Sequence, residues 1–208
     1  MTGAGPRDSA SPMLWLASKS PRRQAMLRDA GLPATAFPAD IDDGCLRHGD
    51  VPPERWVMAL AYFKARRVAD MLRASGDHSG MVLGADTVCA VGRMVLGQPR
   101  DADDARRMLR LMRGREHRTL TGVCLLPLAR REYRLIVFDA AIVRVGEISE
   151  PQIDAYVASG EWRGKAGAYN LSERIDAGWP VSCVGDPTTV MGLPMQRLEG
   201  WIRNAVAS

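Results

Sequence analysis

The segment that most constrains the fold is MVLGADTVCAV at 81–91, a run that is apolar except for one acid and one threonine. A run of this length that is rich in β-branched residues predicts a buried strand. The turn at 92–93 and the short run MVLG after it predict a hairpin. The runs at 118–128 and 133–145 predict two long strands, antiparallel to each other. A chain with this many central strands needs helices to cover the sheet.

Helical patterns lie on both sides of these central strands. A strand at 13–17 is followed by a helix that Ser18 or Ser20 caps, with Pro21 in its first turn and Gly31 at its end. Strands and helices that alternate at both ends, with strand runs between them, are typical of an α/β protein with a mixed sheet flanked by helices. The other predicted helices run from Pro52 to about Arg73, from Asp101 to Gly114, from Ser149 to Gly160 and from about Met195 to Val206.

The composition excludes several classes of protein. Of the 208 residues, 46% are hydrophobic and 25% are charged, and no stretch approaches the ~20 apolar residues that span a bilayer. Residues 1–12 predict a flexible polar tail rather than a secretory signal. Four separated cysteines without a CxxC pair argue against a disulfide scaffold or a zinc site. We expect a cytoplasmic protein without membrane contact, with one domain at 13–206 built as two interwoven lobes.

The basic residues point to an anionic ligand rather than to nucleic acid. The net charge of +4 is too small to indicate a nucleic-acid-binding protein. Only three of the 28 basic residues are lysines, namely Lys19, Lys64 and Lys165. A compact ammonium fits a narrow pocket that a planar guanidinium does not. Each lysine is therefore a candidate for binding a small anion, although chance alone can leave three lysines.

The hexapeptide SKSPRR at 18–23 lies where a strand ends and a helix begins. Free backbone N–H groups at a helix N-terminus attract anions, and the two hydroxyls and two guanidiniums add donors for phosphate oxygens. The alternative is an ordinary serine cap with two solvated arginines. No glycine-rich phosphate loop occurs in the chain, which argues against a Walker-type nucleotide hydrolase.

Lys64 falls on the apolar stripe of the long predicted helix, four residues after Leu60 and four before Val68. A lysine on the core side of a helix either extends outward to solvent or reaches into a cleft. Asp86 follows the apolar residues MVLGA, so this acid lies within or at the end of a buried strand. Buried acids are rare unless they are hydrogen-bonded, bound to metal or used in catalysis. The alternative for Asp86 is an acid capped by backbone N–H groups.

Two further segments carry candidate site residues. Asp40 and Asp42 are two residues apart, so an extended backbone presents both carboxylates on one face, as suits Mg²⁺ or Mn²⁺. A solvated acidic turn is the alternative reading. The segment GKAGAY at 164–169 combines small residues, which let a backbone approach a ligand, with Lys165. Tyr169 stacks on a ligand or packs in the core, and packing is the default.

Six motifs occur in order along the chain, namely LASKSPRR (16–23), GADT (84–87), LGQP (96–99), TG (121–122), GKAGAY (164–169) and VMGLP (190–194). Together they resemble the Maf family of nucleotide pyrophosphatases, from about residue 14 to 202. The resemblance implies a Maf-type α/β fold, related to the inosine-triphosphate pyrophosphatase architecture, with two lobes around a central cleft. It implies hydrolysis of a nucleoside triphosphate between the α and β phosphates with a divalent cation, Mg²⁺ or Mn²⁺, and a homodimer.

The resemblance also implies roles for individual residues. The matching positions for phosphate binding are Ser18, Ser20, Arg22, Arg23 and Lys165. Asp86 matches the proton acceptor, and Lys64 matches the helix lysine of the catalytic site. Asp42 matches a third catalytic residue. Asp42 and Asp86 together match the metal ligands. The positions for substrate selectivity are Thr87, Gln98 and Ser172.

Two positions depart from the family pattern. Gln98 stands where the family usually has a lysine before proline, and Ser172 stands where the usual segment KAGAYGIQG has glutamine. Both positions are associated in the family with base choice and phosphate binding. SPRR with GADT resembles the branch that acts on dTTP and UTP. Because Ser172 replaces the usual glutamine, a nucleotide with a modified base remains an alternative substrate, for example 7-methyl-GTP, as in the sister branch.

Two other functions remain as alternatives at this point. A nucleotide-binding regulator of cell division would bind a triphosphate with little or no turnover. An RNA-binding domain would need a basic face lined with aromatic side chains. The chain has three Phe, four Tyr and five Trp and no RNP-like motif, which argues against RNA.

Overall fold

The structure is a computed structural model that describes residues 14–41, 46 and 48–207. Asp42 and the predicted tail at 1–12 lie outside the described residues. The strands are β1 Leu14–Leu16, β2 Ala34–Ala36, β3 Met81–Val91, β4 Met94–Leu96, β5 Arg115–Pro127, β6 Leu135–Val145 and β7 Val181–Val184. The helices are α1 Pro21–Asp29, α2 Pro53–Ala74, α3 Ala102–Met112, α4 Glu150–Ser159, α5 Leu171–Asp176, α6 Pro187–Met191 and α7 Met195–Ala207.

The strands form one mixed sheet with the order β2-β1-β3-β5-β6-β7, and β4 pairs with β3. β1 runs parallel to β2 and β3, and the other pairs are antiparallel. The predicted mixed α/β sheet is therefore confirmed, as are the β3–β4 hairpin and the long antiparallel pair β5–β6. None of the helices that the structure describes is long and apolar enough to cross a bilayer.

Two short helices are absent from the sequence-based prediction. The region 179–194, predicted as strand or turn, contains β7 followed by α6, and α5 lies in a stretch predicted as a connection. These helices span six and five residues, which is less than two turns, so an apolar periodicity cannot develop. Each begins instead with a capping side chain, Asn170 for α5 and Asp186 for α6.

Side-chain alternation along β3 divides its residues between two faces of the sheet. Met81, Leu83 and Ala85 pack with residues of β1 and α7. Val82 packs with residues of α2 on the opposite face. Asp86 has the same parity as Val82, so its carboxylate lies on the face that α2 covers.

Two glycines let α2 lie directly on the backbone of the sheet. A Cβ on Gly84 would be 2.2 Å from the Ala61 carbonyl oxygen, and a Cβ on Gly122 would be 2.3 Å from the Val57 carbonyl oxygen. Such distances are impossible for real side chains, so only glycine permits this approach. The close contact brings the next turn of α2, with Lys64, over the position of Asp86.

Candidate active site

A cavity of about 450 Å³ opens where several of the sequence motifs meet. Its walls come from the β1–α1 turn, the segment 38–41, one residue of α2, the middle of β3 and the loop after β4. The segment around the 3₁₀ turn at 166–168 and the end of α6 complete it. The lining residues that match predicted site positions are Ser18, Ser20, Arg22, Arg23, Lys64, Asp86, Thr87 and Gln98. All of these lie in the first half of the sequence, and the second half contributes other residues to the wall, among them Arg163 and Asn170.

Lys64 and Asp86 form an ion pair in this cavity. The Lys64 Nζ donates to Asp86 Oδ1 at 2.6 Å, and the two side chains are only 18% and 11% exposed. Lys64 therefore reaches the cleft instead of extending outward from the helix. The ammonium holds the carboxylate in one orientation facing the space where a ligand would lie.

Arg23 connects several segments of the cavity wall through hydrogen bonds. Its Nε donates to the Gly192 carbonyl oxygen at 2.9 Å, and its Nη1 donates to the Ala85 carbonyl oxygen at 3.0 Å. Nη1 also donates to Ser18 Oγ at 3.2 Å, and Nη2 donates to Thr87 Oγ1 at 3.1 Å. These bonds tie the β1–α1 turn to β3 and to the segment after α6. Phosphate binding by Arg23 stays a prediction.

The two serines of the β1–α1 turn organise the start of α1. Ser20 caps the helix, with its Oγ accepting from the Arg23 backbone N–H at 3.5 Å, and Ser18 Oγ accepts from the Ser20 N–H at 3.2 Å. Arg22 Nη2 donates to the Gly164 carbonyl oxygen at 3.4 Å, which links α1 to the distant segment 163–170. Ser20 therefore caps α1, and Ser18, Ser20 and Arg22 also line the cavity. Phosphate binding by these residues stays a prediction.

Lys165 lies between two residues of the cavity wall, but its ammonium is paired with a neighbouring acid. Its flanking residues Gly164 and Ala166 line the cavity, whereas Lys165 does not appear among the lining side chains of the described chain. The Lys165 side chain is 8% exposed and its Nζ forms an ion pair with Glu173. Whether Lys165 binds phosphate therefore depends on the substrate competing with Glu173, and its role stays a prediction.

Asn170 and Arg163 line the cavity although the sequence patterns do not single them out. Ser172, predicted to affect selectivity, is not among the described lining residues, but its Oγ donates to Asn170 Oδ1 at 2.8 Å. An asparagine directly before an apolar residue is a helix-start signal that marks Asn170 as a cap. No sequence signal indicates that a cap residue also faces a cavity.

Tyr169 packs in the core, as expected by default, but it also lines the cavity, and it contacts a buried histidine. Its hydroxyl lies 2.8 Å from His117 Nε2, and both residues are buried. Burial disfavours the charged imidazolium and lowers the pKa of His117 from 6.5 to about 4. His117 is therefore neutral in the folded protein at neutral pH.

We expect the protein to lose stability as the pH falls from about 6.5 to about 4. The unfolded chain binds a proton on His117 in this window and the folded chain does not, so protons favour unfolding. At about 1.4 kcal/mol per pH unit, His117 accounts for a loss on the order of 3 kcal/mol. Urea unfolding from pH 7 to pH 4.5 measures it, with His117→Gln as the reference. Equal slopes in the two proteins would exclude His117 as the cause.

The carboxylates that the structure describes in the cavity are Asp40 and Asp86. Asp40 lies at the exposed rim, where its Oδ1 is 2.6 Å from Lys19 Nζ. Among the described residues, no group of three His, Cys, Asp or Glu side chains could hold a metal ion. Mg²⁺ bound to a nucleotide needs only one or two carboxylates in addition to phosphate oxygens and water. Asp86 fits such a site.

The comparisons with known proteins agree with the motifs. The family model described as Maf-like protein matches residues 13–205. A dTTP/UTP pyrophosphatase from Chelativorans sp. (strain BNC1) is 42% identical over 190 residues, covering 90% of this chain and 88% of the relative. The proteins of the same name from Caulobacter vibrioides and Ruminiclostridium cellulolyticum are 43% and 37% identical, covering 90% and 88% of this chain and 92% and 91% of their own.

A solved nucleoside-triphosphatase / dITP/XTP pyrophosphatase from Mycobacterium abscessus shares 16% identity with this chain. It superposes with a TM-score of 0.39 over 65% of this chain and 75% of its own, and this likeness carries no weight here. The match of nearly the whole chain to the family model, with relatives above 40% identity, is decisive. This protein belongs to the Maf family.

Proposed function

We propose that this protein is a nucleoside triphosphate pyrophosphatase that converts UTP, dTTP or a related nucleotide to the monophosphate and pyrophosphate. The observation that carries the proposal is the Lys64–Asp86 pair, at 2.6 Å, inside a cavity with a cationic wall. The names of the relatives at 37–43% identity support the same reaction and the two pyrimidine substrates.

The charge of the cavity suits a polyphosphate. The described lining residues include two acids, Asp40 and Asp86, against a larger set of cations. These cations are Lys19, Arg22, Arg23, Lys64 and Arg163. A triphosphate carries several negative charges, and fixed cations around its oxygens stabilise the charge that develops on the leaving group.

We assign proton acceptance to Asp86, because its carboxylate lies in the cavity. A water oxygen forms a bond to phosphorus while the bond to the bridging α–β oxygen breaks, and the water proton passes to the Asp86 carboxylate. The bridging oxygen leaves with pyrophosphate. Lys64 acts as a positioning residue, because its 2.6 Å hydrogen bond holds the carboxylate toward the cavity.

A divalent cation, Mg²⁺ or Mn²⁺, fits this site because Asp86 offers a carboxylate in the cavity and a triphosphate supplies the remaining oxygen ligands. We assign Asp86 to the ion, together with Asp42. When bound, the ion neutralises charge on the phosphate oxygens.

The product of the reaction tests the proposed function. Purified protein with UTP, dTTP, CTP, GTP, ATP and 7-methyl-GTP is expected to release pyrophosphate in the presence of Mg²⁺ or Mn²⁺, fastest with one of the uracil or thymine nucleotides. A coupled pyrophosphate assay distinguishes this product from orthophosphate. Release of orthophosphate would contradict cleavage at the α–β bond. Tight nucleotide binding without product would instead favour the regulator.

A further inference from the structure

The amide of Asn170 has a fixed orientation. Its Oδ1 accepts from the Glu173 backbone N–H at 3.1 Å and from Ser172 Oγ at 2.8 Å. A backbone N–H is always a donor, so the oxygen of the amide must face it and the NH₂ group must lie on the other side. The cap of α5 thus determines which end of this side chain is available.

The NH₂ group of Asn170 has no hydrogen-bond partner in the part of the chain that the structure describes. Asn170 is only 5% exposed, yet it lines the cavity. Buried side-chain nitrogens without a partner occur elsewhere in the described chain, but Asn170 Nδ2 is not one of them, so this atom keeps access to solvent in the cavity. A ligand acceptor in the cavity would replace that solvent as its partner.

The surroundings of Asn170 favour a neutral acceptor over a phosphate. Ser172 Oγ also lies 3.8 Å from the Met191 sulfur, so a thioether borders the amide, and Val190 and Met191 both line the cavity. The neighbouring cations along the segment already have partners: Lys165 is paired with Glu173 and Arg174 with Glu161. Arg163, which also lines the cavity, lies over the Trp162 ring. An apolar wall with one directed donor is the arrangement that binds a flat heterocycle with a carbonyl group.

We propose that Asn170 determines base selectivity by donating a hydrogen bond to the 4-carbonyl oxygen of uracil or thymine. This inference rests on the proposed function, and it deepens that function by assigning the base contact to one side chain. Cytosine presents an amino donor at the same ring position. Two donors would then face each other, so the pocket disfavours cytosine as well as favouring uracil.

Ser172 has a second part in this arrangement, as a positioning residue. Its hydroxyl donates to the oxygen of the Asn170 amide and so helps keep the NH₂ group toward the cavity.

The ratio of kcat/KM for UTP to that for CTP tests the proposal, with pyrophosphate release as the readout. Asn170→Asp keeps the shape and the helix cap but replaces the donor with an acceptor. We expect it to lower the UTP:CTP ratio by about tenfold or more, as loss of one directed hydrogen bond predicts. Asn170→Ser, which also caps helices, is expected to lower the ratio in the same direction. Gln152→Glu, an amide-to-acid change in the remote α4 cap, is the matched control with an unchanged ratio.

The outcomes separate this proposal from the proposed function. A wild-type protein that releases pyrophosphate, with an unchanged ratio in both Asn170 variants, would overturn the base contact alone. Equal losses with UTP and CTP would place Asn170 on the phosphates and also overturn it. If the wild type releases no pyrophosphate, the proposed function fails, and thermal shift with UTP and CTP decides the contact. A larger shift with UTP that Asn170→Asp removes would support it, and equal shifts would contradict it.

Discussion

Asp86→Asn is expected to lower kcat for pyrophosphate release by about 10³-fold, because general-base catalysis typically contributes 10²–10⁴-fold. The amide has nearly the same shape as the carboxylate. In the wild type, Lys64 Nζ donates to Asp86 Oδ1 at 2.6 Å, and the amide oxygen of the variant can accept the same hydrogen bond. The fold should therefore survive. Steady-state kinetics at saturating UTP with Mg²⁺, together with thermal unfolding followed by circular dichroism, measures both quantities.

The control for Asp86→Asn is Asp103→Asn. Asp103 has a 94% exposed side chain on α3, away from the cavity, so this change removes one acid without touching the site. We expect kcat within about twofold of the wild type, as for ordinary surface substitutions. Near-normal hydrolysis by Asp86→Asn would remove Asp86 from the mechanism.

Gly84→Ala is expected to destabilise the protein by about 3 kcal/mol or more, the upper end of the range for overpacked cores. The added Cβ would be 2.2 Å from the Ala61 carbonyl oxygen and 2.8 Å from the Ala65 backbone nitrogen. Both atoms belong to the helix backbone, so relief requires α2 to move away from the sheet. Urea unfolding at pH 7 measures the loss.

Movement of α2 should also reduce activity in the fraction that folds. Lys64 is one turn beyond Ala61 on the same helix, so a shift of α2 lengthens its hydrogen bond to Asp86. Misplacement of a catalytic group by about 1 Å can lower the rate about 10²-fold. Gly200→Ala is the matched control, because open space surrounds that position on α7 and alanine favours a helix. Equal stability of Gly84→Ala and wild type would contradict the close packing.

The sequence alone predicts most of the long elements and the class of the fold. The apolar run at 81–91 is a strand in the structure, and the predicted helix from Pro52 to about Arg73 is Pro53–Ala74. These elements are predictable because side chains repeat every 2 residues in strands and every 3.6 in helices, within one short window of sequence. The six ordered motifs likewise identify the family, which the family model at 13–205 confirms.

The short helices and the partners of the site residues are not predictable in this way. α5 and α6 are too short for periodicity, and a capping residue alone does not predict a helix when no apolar repeat follows it. From its spacing in the sequence, the Lys64 side chain could extend either to solvent or into a cleft. The residues that decide between these two positions are distant in the sequence. The deciding residues are Gly84 and Gly122, which let α2 pack directly on the sheet.

What the sequence determined by itself is therefore the set of long strands and helices, the family and the candidates for the chemistry. Tertiary structure alone decided that Lys64 meets Asp86, that Lys165 pairs with Glu173, and that Asn170 lines the cavity. The physical reason is the separation in sequence over which each kind of interaction acts. Periodicity and capping act between residues a few positions apart, whereas the depth at which a helix packs on a sheet depends on atoms that only the folded chain brings together.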